Sequence, residues 1–116
     1  MNQQYEIHTR IFNFVVRGLK VTRNIPLSVE SKIIIDQYVR SLTSVGANDN
    51  EADGVTSKKD FIHVYTIVRK ELKEVRYWLM VISELYSNLK PRLNNMIEEN
   101  LELIKIVSSI IIKASK

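Results

Sequence analysis

A chain of 116 residues, 45% hydrophobic and 26% charged, is long enough for one packed domain and too apolar for a disordered tail. It has no cysteine, which excludes disulfides, thiolate-based zinc sites and cysteine nucleophiles. Seventeen Lys and Arg against thirteen Asp and Glu leave a net charge of +4, which permits contact with nucleic acid without requiring it.

The opening residues Met1 to Glu6 lack the basic start and apolar run of a secretory signal. Charged residues interrupt every later apolar run before the roughly 20 residues needed to span a bilayer. A soluble, cytoplasmic protein without membrane contact is expected, as a single domain over residues 1–116.

The periodicity predicts helices over about 3–22, 28–53, 57–87 and 91–114. In the first, Tyr5, Phe12, Val15, Val16 and Leu19 recur at helical spacing until Asn24-Ile25-Pro26 stops it. In the second, Ile35, Tyr38, Leu42, Val45 and Ala52 share one side, and Gly54 is suited to the position just past the helix end. Beside that stripe runs another, Ile34, Gln37, Ser41, Ser44, Asn48 and Glu51. A buried Asn48 or Glu51 needs a partner, because an unpaired buried polar group costs roughly 1–3 kcal/mol. Arg40 or a serine hydroxyl is the expected partner, either in a network that fixes helix register or at a small ligand site. Gly46, mid-helix, marks a close contact or a bend.

Ser57-Lys58-Lys59-Asp60 has the form of a capping box at the start of the third helix. Phe61, Tyr65, Val68, Leu72, Val75, Leu79, Ile82 and Tyr86 then alternate steps of four and three, the seam of helices packed at a shallow angle. Leu89-Lys90-Pro91 makes a turn with proline at the first helical position. Three short connections favour an all-α, up-down-up-down four-helix bundle.

The fourth helix is apolar over most of its circumference. Glu98, Glu102, Lys105, Ser109 and Lys113 form a narrow polar stripe, while Leu101, Leu103, Ile104, Ile106, Val107, Ile110, Ile111 and Ile112 cover the remainder. A helix facing one core needs an apolar arc of little more than about 100°. The wider arc predicts a homo-oligomer with Leu103, Ile106 and Ile110 at the subunit contact. The alternative is a helix set deep between its neighbours. Trp78 belongs at a helix or subunit interface beside Glu74, Val81 and Leu85, although with Tyr77 it is also placed to stack on bases.

Two basic rows stand out. Arg69, Lys73 and Arg76 lie on the side of the third helix away from its seam, and Arg10, Arg17 and Lys20 align on the first. Lys58 and Lys59 occupy a first turn, where positive charge opposes the helix dipole. Either these residues follow a phosphate backbone or they are solvated faces paired locally, as Lys70 with Glu74. No catalytic constellation is present. Asp60 and His63 lie one turn apart, but the second Glu-x-x-His pair of a di-metal bundle is missing. His8 falls on an apolar period and reads as a hydrogen-bonded core or boundary histidine. No glycine-rich phosphate loop or nucleophile elbow occurs. Neither enzymatic activity nor a metal or cofactor is expected.

The run Arg40-Ser41, Gly46-Ala47-Asn48, Glu51-Ala52-Asp53-Gly54 and Ser57-Lys58-Lys59-Asp60-Phe61, with Glu71, Glu74, Arg76, Tyr77, Trp78 and Leu79, resembles the four-helix bundle proteins related to 23S ribosomal RNA intervening-sequence proteins. Where those often read Ile-Pro-Ala-Asn-Ile-Ala-Glu-Gly, this chain has Gly46 in place of proline, and its glycine falls two residues later, at Gly54. Asn48 and Glu51 match the polar positions of that motif.

The resemblance implies a bacterial, cytoplasmic homopentamer of unsettled function, for which nucleic-acid binding is the usual proposal. A similar pentamer is the accessory protein of diversity-generating retroelements, associated with a reverse transcriptase and with RNA. It supplies no catalytic residues, and it gives Asn48 and Glu51 structural roles, with Arg40 and Glu74 beside them. Two functions are thus expected as alternatives: a non-catalytic oligomer that binds RNA or other nucleic acid, or an oligomeric scaffold for a partner protein such as a reverse transcriptase.

Overall fold

The computed structural model describes residues 3–116, with side chains from residue 6 onward, so Tyr5 lies outside the described side chains. Four helices form: α1 (Gln3–Val21), α2 (Val29–Ala52), α3 (Lys58–Leu85) and α4 (Lys90–Ala114), with no strand among the described residues. Single 3-10 turns at Thr22–Asn24 and Ser87–Leu89 precede α2 and α4.

Local chemistry sets the helix ends. Ser28 and Ser31 cap α2 reciprocally: the Ser28 hydroxyl accepts from the Ser31 amide at 3.1 Å, and the Ser31 hydroxyl accepts from the Ser28 amide at 2.7 Å. At α3 one arm of the box forms, Ser57 accepting from the Asp60 amide. Pro91 sits in the first turn of α4, where its missing N–H costs nothing. Gly54 falls just past the end of α2, as expected. Its amide bonds the Glu51 carbonyl at 2.9 Å, but its φ is not positive, so the chain leaves α2 without a left-handed cap.

Cross-helix bonds record the register. His8 meets Asp49 while Gly18 meets Tyr38, so α1 and α2 run antiparallel. Asp49 meets Tyr65 while Arg40 meets Glu74, and Asn100 meets Leu72 while Lys90 meets Glu84. The up-down-up-down bundle follows. It measures 45 × 23 × 19 Å, and the 28 residues of α3 account for the long axis at about 1.5 Å each.

The α3 seam lies in the core as predicted, with Tyr65, Val68, Leu72, Val75, Leu79 and Ile82 buried and Phe61 and Tyr86 packed at its ends. On α1 the buried line is instead Ile7, Ile11, Phe14 and Val21. Of the predicted residues, Val15 and Leu19 are half-buried and pack against the core, Val16 is half-buried, and Phe12 faces the surface, 68% exposed. Gly18 hides the true seam. It carries no apolar side chain, yet a Cβ there would stand 2.5 Å from Leu42 Cδ2 and 2.8 Å from the Tyr38 hydroxyl.

The reading of α4 is also corrected. Leu103 and Ile110, expected at a subunit contact, are buried in the core of this chain along with Val107 and Ile111. Ile104 and Ile106 are half-buried against that core, leaving Leu101 and Ile112 exposed. A helix flanked by both α3 and α1 buries a wider arc than one packed on a single face.

Candidate nucleic-acid interface

On α3 Lys70 and Lys73 are exposed and Arg69 is half-buried beside them. Thr66, Arg69, Lys70 and Lys73 line a shallow cleft, and among the described residues no ion pair holds any of these cations. The local pairing of Lys70 with Glu74 does not occur, because Glu74 turns toward α2 and bonds Arg40. Tyr77, 59% exposed, lies one helical turn beyond Lys73. Arg76 is half-buried, with its Nε enclosed and without an acceptor among the described residues, so it continues the row only partly.

The first-helix row divides. Arg10 is committed to Glu99, donating from Nε at 3.2 Å and from Nη2 at 2.6 Å. That bond raises its already high pKa and removes it as a free phosphate ligand. Arg17 and Lys20 remain exposed in a cleft they share with Phe12 and Val16. Lys58 donates to the Lys116 carbonyl at 2.7 Å, while Lys59 is exposed.

The polar stripe of α2 is resolved residue by residue. Asn48 donates to the Ser44 carbonyl at 2.9 Å and its hydroxyl at 3.1 Å, the serine partner expected for it. Glu51 is exposed. Arg40 bonds Glu74 and approaches Glu71 Oε2 at 3.7 Å, so it ties α2 to α3 and does not serve Asn48 or Glu51. Trp78 is half-buried, its Nε1 enclosed and its ring edge-on to Tyr77 at 5.0 Å.

A polar centre outside the predicted sites lies between α1, α2 and α3. Asp49 is 4% exposed. Its Oδ1 accepts from the Tyr65 hydroxyl at 2.7 Å and from His8 Nδ1 at 2.8 Å, and its Oδ2 is 2.9 Å from the same nitrogen. His8 is therefore the hydrogen-bonded boundary residue expected of it. Burial, then the bond to Asp49, pushes the Tyr65 phenol well above its usual range, and burial does the same for Tyr38. The sequence carried a signal for Asp49, since Tyr38, Leu42, Val45, Asp49 and Ala52 step by four and three. An aspartate on a buried seam requires partners.

Beside this centre is a groove of about 540 Å³ between α1 and α2, lined by Ile11, Phe12, Val15, Val16, Gly46 and Ala47 and ending at His8, Asn50 and Asp53. Gly46 lets α1 approach closely at the groove floor, since a Cβ there would lie 3.3 Å from Val15 Cγ2. Among the described residues no cluster of three His, Cys, Asp or Glu is placed to hold a metal. No helix among them is long and apolar enough to cross a membrane.

The fold and its surface define a small all-α bundle with an open row of cations along one helix. Residues 3–109 match the family of 23S rRNA-intervening sequence proteins, and the chain belongs to that family. It is also similar to a crystal structure from Bacteroides thetaiotaomicron, described as a protein of unknown function from the S23 ribosomal protein family. The two are 28% identical over 95% of this chain and 98% of the other, with a TM-score of 0.83. No curated protein matches the chain.

Proposed function

We propose that this protein is a non-catalytic, cytoplasmic homo-oligomer, a pentamer on the family resemblance, that binds structured RNA or other nucleic acid through phosphate contacts along α3. The observation that carries the reading is the row of Arg69, Lys70 and Lys73, which lies in a shallow cleft with no carboxylate partner among the described residues. A cation already paired inside the protein gains little from a phosphate, whereas an unpaired row releases counterions when a phosphate backbone docks. Tyr77 beside it adds a stacking surface for an unpaired base. Arg17, Lys20 and Lys59 extend the positive surface, while Arg10 and Arg76 contribute less because their guanidinium groups are engaged or partly enclosed.

Fluorescence anisotropy of labelled ribosomal RNA fragments across a salt series tests the reading. Affinity should fall steeply with salt, and replacing Arg69 and Lys73 by Gln should reduce the slope of log affinity against log salt by about two, one per lost phosphate contact. Absence of binding at low salt would sink it. The exposed Leu27, Val29 and Ile33 at one end of the bundle favour a second reading, an oligomeric scaffold for a partner protein such as a reverse transcriptase. Docking of that kind is much less sensitive to salt.

A further inference from the structure

We propose that a second copy of this chain seats on the α1–α2 face, the two copies related by a twofold axis that passes between Phe12 and Val16. The inference goes beyond the RNA-binding reading and does not rest on it. Its basis is a face charged in opposite senses at its two ends. Asp49 and Asp53 lie at one end of the groove, with the Asp53 side chain 82% exposed. They outnumber His8 whichever form its imidazole takes, so this end is acidic. The adjoining cleft at the other end holds Arg17 and Lys20. Both are exposed, and among the described residues no ion pair holds either cation. Arg10 and Glu99 in the same cleft neutralise one another.

Between the charged ends the surface is apolar. Phe12 and Val16 line both the groove and the cleft, so they form the ridge between them. An aromatic exposed on such a ridge gains by leaving water against another apolar surface.

The order of residues along α1 supplies the symmetry. From His8, which stands beside Asp49 and Asp53, to Lys20 the helix runs about 18 Å at about 1.5 Å per residue. Phe12 and Val16 fall near the middle of that span. Rotating the face by half a turn about this midpoint exchanges its acidic and basic ends. Asp53 of each copy then comes opposite Lys20 of the other, Arg17 approaches the other copy's acidic end, and the two apolar ridges cover one another. Such a contact is self-complementary, as a twofold interface must be. A phosphate backbone laid along the same face would meet Asp53 at one end, whereas a second copy offers matching charge at both.

Pairing leaves the nucleic-acid surface on α3 intact. Because α1 is flanked by α2 and α4, α3 lies diagonal to it. Arg69, Lys70 and Lys73 of both copies therefore stay open, while Arg17 and Lys20 are committed to the pair. A twofold contact also doubles any ring built through other faces, so the number of chains is even.

Sedimentation of the intact protein without nucleic acid reads the pair, and the unaltered chain should give an even number of copies. Asp53→Lys and Lys20→Glu, both at exposed positions, each place like charges at both ends of the contact. Either should weaken pairing by at least about tenfold and halve the mass, with circular dichroism unchanged. Phe12→Ser, at the ridge, should halve it too. An equimolar mixture of Asp53→Lys and Lys20→Glu should regain the full mass, because one variant then carries cations at both ends and the other carboxylates at both. An odd number of copies in the unaltered protein, an unchanged mass in any of the three variants, or a mixture that stays at the halved mass would overturn the proposal. Replacing Arg69 and Lys73 by Gln should leave the mass as it is, so this reading and the RNA-binding reading fail separately.

Discussion

Gly18 and Gly46 both interrupt helices with a residue of poor helix propensity, yet they should respond differently to a methyl group. At Gly18 the new Cβ meets Leu42 at 2.5 Å and the Tyr38 hydroxyl at 2.8 Å, both held in the core. Gly18→Ala should cost about 1–3 kcal/mol by overpacking, and it should also strain the bond from the Tyr38 hydroxyl to the Gly18 carbonyl. At Gly46 the nearest atom belongs to Val15, half-buried at the groove edge and 3.3 Å away. There a gain in helix propensity of up to about 1 kcal/mol offsets the contact, and Gly46→Ala should be near neutral. Urea denaturation of the pair checks the contrast. Asp49→Ala should cost about 1–3 kcal/mol, because Tyr65 and His8 both lose their acceptor. The buried phenols predict a pH effect of definite sign. Tyr38 and Tyr65 hold their protons more tightly folded than unfolded. Their contribution is therefore complete below about pH 10, where an unfolded tyrosine ionises, and declines as pH rises above it. Tyr38→Phe and Tyr65→Phe should flatten that alkaline decline, measured as the urea midpoint against pH.

At the scale of helices, legibility followed the number of faces each one buries. The α3 seam was readable because its apolar line is unbroken and its opposite side is charged. The line on α1 was not, because two apolar stripes compete there and the buried one passes through Gly18, which hydropathy does not register. On α4 the periodicity showed correctly that one face was insufficient, but the second contact is another helix of the same chain. In the polar centre His8 was legible in kind, whereas its partner was not, since the separation of 41 positions from His8 to Asp49 is bridged only by the fold. Asn100 belongs to this scale as well. It is fully buried in α4 and donates to the Leu72 carbonyl at 2.9 Å, while its own Oδ1 has no partner among the described residues. Asn100→Leu should therefore be neutral or stabilising in thermal unfolding, because it removes an unsatisfied acceptor and the Leu72 carbonyl retains its place within the helix.

For the whole molecule the proposed assembly is the quantity to measure. Sedimentation should give a mass several times the 13.5 kDa of one chain. The surviving apolar excess of α4 is Leu101 and Ile112, so glutamate at both positions should lower that mass while circular dichroism stays unchanged. A monomer in both proteins would remove the oligomer from the proposal and leave the cation row to act singly.

The lighter packing of α1 has a consequence in time. It lies against α2 and α4 with Phe12 turned outward and Val15, Val16 and Leu19 half-buried, whereas α3 is enclosed along its seam. In hydrogen–deuterium exchange the α1 amides should open by a local route well before the α3 amides, which report global unfolding. A ligand seated against His8 and Phe12 would then slow exchange most in the helix that opens first, so occupancy of the groove would register as protection of α1.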